Sequence, residues 1–253
     1  MEECSGLFSA VRFCGVHLTE LPAAPDGSRI YGRNSMTYEE ITKNPEIRVY
    51  IAQADASLNA LGYTEHSFAH VTQVANMAGE ILSTLGHSPR TVELAKIAGF
   101  LHDIGNLVNR IEHSQSGAVM AFRLLDEMGF PPGEIALITT AIGNHDEGTG
   151  LPVNELAAAL ILADKSDVRR SRVRNSDISS FDIHDRVNYS VTHSDLKINE
   201  DHTQITLTLT IDTHFGSVMD YFEIFLDRMI LCRKAAETLG MHFKLNINGQ
   251  PLI

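Results

Sequence analysis

The chain has 253 residues, 43% of them hydrophobic and 21% charged, with a formal net charge of −12 and a pI near 5.4. That length buries one good core, or one main domain with a small appendage, and the composition excludes intrinsic disorder. The acidic balance argues against a general nucleic-acid coat or an anionic membrane surface as partner, and leaves small anionic substrates where positive charge is concentrated locally or supplied by a metal.

Three scattered cysteines, Cys4, Cys14 and Cys232, make no disulfide framework, so a reducing cytosol is the expected compartment. Glu2 and Glu3 stand where a secretory signal carries Lys or Arg, and Arg12 interrupts the modest apolar run that follows. There is no run of about 18 apolar residues, and a cytoplasmic protein without membrane contact is expected.

Residues 1–35 show weak periodicity and then a turn-rich piece, "LPAAPDGSRIYGRNS". They read as an N-terminal extension that the fold can dispense with, Met36 being a natural initiator. From Met36 the character changes: Thr37 followed by Glu40 is a capping box opening "MTYEEITKNPEIRVYIAQADASLNALG". A helix is predicted from His66 to Leu85, stopped by Gly86, and a second from about Val92 to Ile104, ended by Gly105. A third covers Gln115 to Met128 and closes at Gly129 and Pro131-Pro132. A fourth runs from Pro132 to His145, and a fifth starts at the N-cap candidate Asn154 and carries "ELAAALILADKSD". Beyond about residue 186 the period switches to two: "NYSVTHSDLKI" and "QITLTLTID" read as strands. A long amphipathic helix follows over about Gly216–Leu239, then a strand in "HFKLNING". The fold class is mainly α, a helical domain over residues 36–185 with a small α+β subdomain over 186–253.

Cores rarely place polar side chains on their apolar stripes, because burial without a partner costs about 1–3 kcal/mol. Five places break that rule. His102 lies four residues after Ala98, with Asp103 beside it at the unfavourable end of a helix dipole. His145 continues the stripe of Ile135, Ile138 and Ile142. Asp164 lies three residues after Ile161. His70 opens the stripe of Val71, Val74 and Ala78, and His113 precedes "SQSGA", where small residues allow close helix approach. Imidazoles and carboxylates converging on one interior point are what a divalent metal site requires, since the metal offsets their burial. Asp103 has two oxygens and could bridge two ions about 3.5–4 Å apart.

His70, then "LHDIG" with His102 and Asp103, then His113 in "HSQSGA", His145, and Asp164 in "ILADKSD" resemble, in that order, the HD-domain metal-dependent phosphohydrolase superfamily, over about residues 60–175. The resemblance implies an HD-domain helical bundle with His70, His102, Asp103, His113, His145 and Asp164 as ligands of two metal ions (iron, manganese, zinc, cobalt or nickel). It implies a metal-bridging hydroxide, held at Asp103, that attacks a phosphoester. Of the three His-Asp pairs, His102-Asp103 is thus the functional one. At His145-Asp146 only the histidine is expected to bind metal, with Asp146 and Glu147 solvated, and His184-Asp185 is expected to be structural.

Substrate contacts are expected from "KSDVRRSRVR", which packs Lys165, Arg169, Arg170, Arg172 and Arg174 into ten residues. Arginine forks match phosphate oxygens, and Lys165, Arg169 and Arg170 are the candidates. The superfamily often has Lys or Arg where this chain has Asn106, and Arg110 could replace it. His66, placed one helical turn before His70, is the candidate general acid to the leaving group. The reading is a hydrolase acting on a phosphoester of a nucleotide or similar small phosphorylated molecule. Its alternatives are a diiron oxygenase of the same ligand type and a nucleotide-binding sensor without turnover. The C-terminal subdomain is a candidate for a homo-oligomer contact or a lid.

Overall fold

A computed structural model describes residues 36–252, so the expectation for residues 1–35 lies outside the described residues. The capping box forms as predicted, with the Thr37 side chain accepting from Glu40 N–H and Glu40 reaching back to Thr37. It caps only a short helix, however. The stretch from Met36 divides into α1 (Tyr38–Lys43) and α2 (Pro45–Ala60), because Pro45 has no N–H to continue α1 while Asn44 caps the helix that Pro45 begins.

The five predicted helices are α3 (Phe68–Thr84), α4 (Pro89–Leu101), α5 (His113–Glu127), α6 (Pro132–Gly143) and α7 (Glu155–Ser166). Asn154 caps α7 through Ala157 N–H. Residues Leu156 to Ala163 are all buried, so α7 is apolar on every side and occupies the interior, with α3, α4, α6 and a C-terminal helix around it. Gly99 lets α4 lie on α3: a Cβ there would meet Ala75 Cα at 2.7 Å. That close approach brings the N-terminal part of α3 beside the C-terminal end of α4.

A short helix α8 (Ile183–Ser190) takes up the first residues of the predicted strand "NYSVTHSDLKI" and precedes β1 (Val191–Ile198) and β2 (Gln204–Ile211). Then come α9 (Val218–Thr238), β3 (His242–Ile247) and the short β4 (Gln250–Pro251). The sheet has the order β1-β2-β3-β4, with β2 and β3 parallel across the α9 crossover and the other pairs antiparallel. Ile205, Leu207, Leu209 and Ile211 of β2 alternate with threonines and are buried. They join one apolar cluster with Phe225, Met229 and Cys232 of α9 and with the α7 interior. Among the described residues no helix is long and apolar enough to cross a membrane.

Candidate metal centre

The ends of these helices converge. His70 lies in the first turn of α3, His102 caps the end of α4, and Asp103 opens a 310 turn, Ile104–Leu107. His113 is the first residue of α5, His145 follows the end of α6, and Asp164 lies in the last turn of α7. All four imidazoles are buried, none more than 3% exposed. Their rings form a chain, with centroids 5.2 Å apart for His70 and His102 and 5.0 Å apart for both His102–His145 and His113–His145.

Each ring is oriented by its Nδ1. His102 donates to Gly99 O at 2.8 Å, His113 to Arg110 O at 3.1 Å and His145 to Ile142 O at 2.7 Å. His70 instead meets the Asp167 carboxylate at 2.7 Å. With Nδ1 taken up in these bonds, Nε2 is the ring atom each imidazole has left for a metal ion, and all four point inward. Against burial and Arg172, bonds to Asp103, Asp164 and Asp167 raise His70 to about 10, so a metal ion there would replace a proton. His70 Nε2 lies 3.5 Å from Asp103 Oδ2 and 3.4 Å from Asp164 Oδ1. His102 Nε2 lies 3.2 Å from Asp103 Oδ2 and 3.7 Å from Asp164 Oδ1. On the other side, His113 Nε2 is 3.5 Å from Asp103 Oδ1 and 3.2 Å from His145 Nε2. The two oxygens of Asp103 therefore face two separate ligand groups, one from His70, His102 and Asp164 and one from His113 and His145. Asn106, where the resemblance led one to look for Lys or Arg, is buried and donates its amide to Asp103 Oδ1 at 2.9 Å, holding that carboxylate in place.

The donor set fits metal ions. His70 Nε2, His102 Nε2 and Asp103 Oδ2 are buried with no hydrogen-bond partner, an arrangement that costs folding free energy unless a cation is the partner. Two groups, His70-His102-Asp164 and His102-Asp103-His145, each hold their donor atoms within 4.8 Å of one another. The electrostatics agree. Burial would raise Asp103, but His102 and His70 outweigh it and hold the carboxyl well below its ordinary range. For Asp164, Lys165 does the same against burial. Burial, with the neighbouring imidazoles and Lys165, keeps His145 neutral, well below its usual value. Both carboxylates are charged and His145 is unprotonated, the forms that ligate.

The centre forms the floor of a cavity of about 470 Å³. His66, Arg110, Lys165 and Arg172 line it, together with Tyr63 on one side and α8 and α9 on another. Several expectations change here. His66 lies before α3, which begins at Phe68, so it is not on the helical face of His70, although the rings come within 5.5 Å. Burial and then Arg172 keep His66 neutral, and its Nδ1 donates to Thr64 O at 2.7 Å.

Arg169 and Arg170 do not reach the cavity. The chain leaves the helix after Ser166, so the spacing that would have carried them back along α7 is lost. Arg169 pairs with Asp167 at 2.8 Å and Glu65 at 3.2 Å. Arg170 stacks on Tyr189 and Phe215 and pairs with Asp212. Lys165 does line the cavity, but it is buried between Asp164 at 2.8 Å and Glu147 at 2.6 Å. Glu147 is not solvated: Lys165 and Arg228 outweigh burial and hold its carboxyl far below the usual range. Asp146 Oδ1 stands 4.0 Å from His113 Nε2. His184 and Asp185 lie on α8 and line the cavity wall, away from the ligands. Sequence reasoning missed Asp167, three residues after Asp164, and Arg228, an arginine between Phe225 and Met229 on the buried stripe of α9.

Residues 67–169 match the family model of the HD domain. The chain is 28% identical over 168 residues to an uncharacterized protein of Methanocaldococcus jannaschii, covering 57% of this chain and 64% of that one. It is 29% identical over 142 residues to ribonuclease Y 1 of Pediococcus pentosaceus, covering 54% of this chain and 24% of the relative. The matched segment thus spans less than two thirds of either curated relative. A crystal structure of a predicted HD superfamily hydrolase from an uncultured Thermotogales bacterium is 28% identical, covers 50% of this chain and 74% of its own, and superposes with a TM-score of 0.37. Residues 67–169 of this chain are an HD domain.

Proposed function

We propose that the protein hydrolyses a phosphoester of a nucleotide or similar small phosphorylated molecule at a centre of two metal ions. The observation that carries this reading is the convergence of four inward-pointing Nε2 atoms around one buried carboxylate, Asp103, with three of the donor atoms unpartnered. His70, His102 and Asp164 would hold one ion, His113 and His145 the other, and Asp103 both. Ions bound there lower the pKa of a water and polarise a phosphoryl oxygen.

The remaining work falls to the chain's own groups. Asp167 and the backbone carbonyls of Gly99, Arg110 and Ile142 fix the four imidazoles, so no reorientation is needed when substrate arrives. His66 lines the cavity beside the centre with its Nδ1 tied to Thr64 O, which places an imidazole where a proton can be exchanged with the leaving group. Arg110, with no carboxylate within 4.0 Å among the described residues, is available to a phosphate oxygen, its Nη1 lying 3.4 Å from His113 Nε2. Tyr63 lines the same cavity and supplies a ring face for a base or another flat group.

Metal analysis of the purified protein and phosphate release across a nucleotide panel, with and without oxygen, test the proposal. Metal-dependent release that does not need oxygen supports it. Oxygen uptake with an organic substrate, and no phosphate released from any member of the panel, refutes it in favour of the oxygenase reading.

A further inference from the structure

Four cationic side chains line the cavity, and they differ in what they have left to offer. Lys165 Nζ is taken up by Asp164 and Glu147. Arg172 is buried and donates Nε to Glu65 O at 2.9 Å and Nη1 to Asp167 O at 2.7 Å. Arg110 has only contacts of 3.4 and 3.5 Å, to His113 and Asn106. Arg228 stands apart. Its Nε donates to Glu147 Oε1 at 2.8 Å, and its guanidinium lies over the Phe225 ring at 4.1 Å. Among the described residues no acceptor engages its Nη1 or Nη2, and its side chain retains 21% exposure at the cavity.

We propose that Arg228 binds the non-bridging oxygens of the substrate's phosphate. The inference deepens the function proposed above and rests on it. It assigns a substrate contact to α9, which lies outside the matched segment 67–169. One edge of the guanidinium is anchored by Glu147 and its face rests on an aromatic ring. The rotamer freedom that a flexible arginine would lose on binding phosphate is therefore already restricted. The two Nη groups that remain form the planar fork that suits a phosphoryl group. Glu147 is neutralised jointly, by Arg228 Nε at 2.8 Å and by Lys165 at 2.6 Å, so only one edge of the guanidinium is committed to it. The arginine that the sequence led one to seek after Asp164 is thus supplied from a helix that begins more than fifty residues later in the chain.

The test uses the full chain loaded with manganese, titrated with inorganic phosphate by calorimetry, beside steady-state kinetics on a hydrolysed member of the panel. Arg228→Gln removes the charge. Arg228→Lys keeps a cation for Glu147, and so the fold, but has no second edge to present. Both variants are expected to retain bound metal, bind phosphate at least tenfold more weakly and show a raised KM. An Arg228→Lys protein with wild-type melting temperature, metal content and phosphate affinity overturns the inference while the proposed function stands. A wild-type protein that neither binds phosphate nor releases it from any substrate overturns both.

Discussion

Replacing Gly105 with alanine tests how rigidly the fold holds the second ligand group. Gly105 does not sit at positive φ, so the position excludes a side chain on space alone. A Cβ there would stand 2.0 Å from His113 O, 2.4 Å from Gly117 N and 2.7 Å from Ser116 Oγ. Since Cβ contacts under 3.0 Å essentially do not occur, the His113 backbone must retreat by at least 3.0 − 2.0 = 1.0 Å and the Gly117 backbone by 3.0 − 2.4 = 0.6 Å. Two of these atoms are backbone of α5, so the helix has to move as a body and carry His113 with it. Ligand geometry has to hold within about 0.5 Å, and a 1 Å displacement of a reacting group costs about 10²-fold in rate. The ligands on α3, α4 and α7 do not ride on α5. If the centre holds two ions as proposed, Gly105→Ala is expected to lose one of them, about 10²-fold in activity, and about 1–3 kcal/mol of stability. At about 2–4 °C per kcal/mol for a chain of this size, the melting temperature falls by roughly 2–12 °C. Metal content by elemental analysis, thermal melting and phosphate release measure all three. A variant with two ions and the wild-type melting temperature would show that α5 is not seated as described, and the reasoning would fail.

His102→Ala and Asp103→Ala each remove a donor and leave buried partners unpaired, so both should strip metal and abolish phosphate release; turnover at the wild-type rate in either would remove these residues from the site. Replacing Arg169 and Arg170 together with Ala should leave KM within about twofold, because both are engaged away from the cavity, and a tenfold rise in KM would return them to the substrate. Asp167→Ala should lower metal affinity roughly 10–100-fold, whereas Asp167→Asn, which keeps an acceptor for His70 Nδ1, should lose less; equal affinities in dye competition would contradict the role given to Asp167. Cys232 is buried on α9, and burial pushes its thiol up to about 12. The thiolate is the reactive form, so alkylation at Cys232, followed by peptide mapping, should stay negligible from pH 7 to 10 in the native protein and become fast on denaturation. Rapid native labelling at pH 8 would mean that α9 opens readily.

The helices carrying the ligands were legible because apolar spacing and end signals agreed. Asn154 caps α7 and glycine or proline follows α3, α4 and α5, so the boundaries moved by only a few residues. The ligands were legible for the opposite reason, as polar groups on apolar stripes. What escaped depended on partners distant in sequence. Glu147 looks solvated in "HDEGTG" but is half-buried, paired with Lys165 and Arg228 that come to it from α7 and α9. Arg169 and Arg170 were misplaced by extending α7 past Ser166, where Asp167 adopts φ −81° and ψ 71° and ends the helix. The helix α8 is short and low in apolar content, so its cap at Asp182 and the single Ile183–Val187 spacing give only a weak signal.

One recurring local device orients three of the four imidazoles. His102, His113 and His145 each donate Nδ1–H to the carbonyl three residues before them. Each of these histidines sits at a helix end, where carbonyls of the last turn or the preceding turn have capacity for a side-chain donor, Arg110 O taking the backbone N–H of His113 as well. His102 caps α4, His145 follows α6, and His113 begins α5 after a turn at Arg110. Sequence position alone thus sets the tautomer, and Nε2 is left for the interior. His70 is the exception. It lies inside the first turn of α3, and its acceptor comes from Asp167, 97 residues away, with Arg169 and Arg172 around that carboxylate. The basic cluster after Asp164 therefore serves the candidate metal centre at one remove: it steadies the carboxylate that steadies His70. An arginine-rich stretch beside a phosphate-type site need not touch phosphate when a buried aspartate next to it requires compensation.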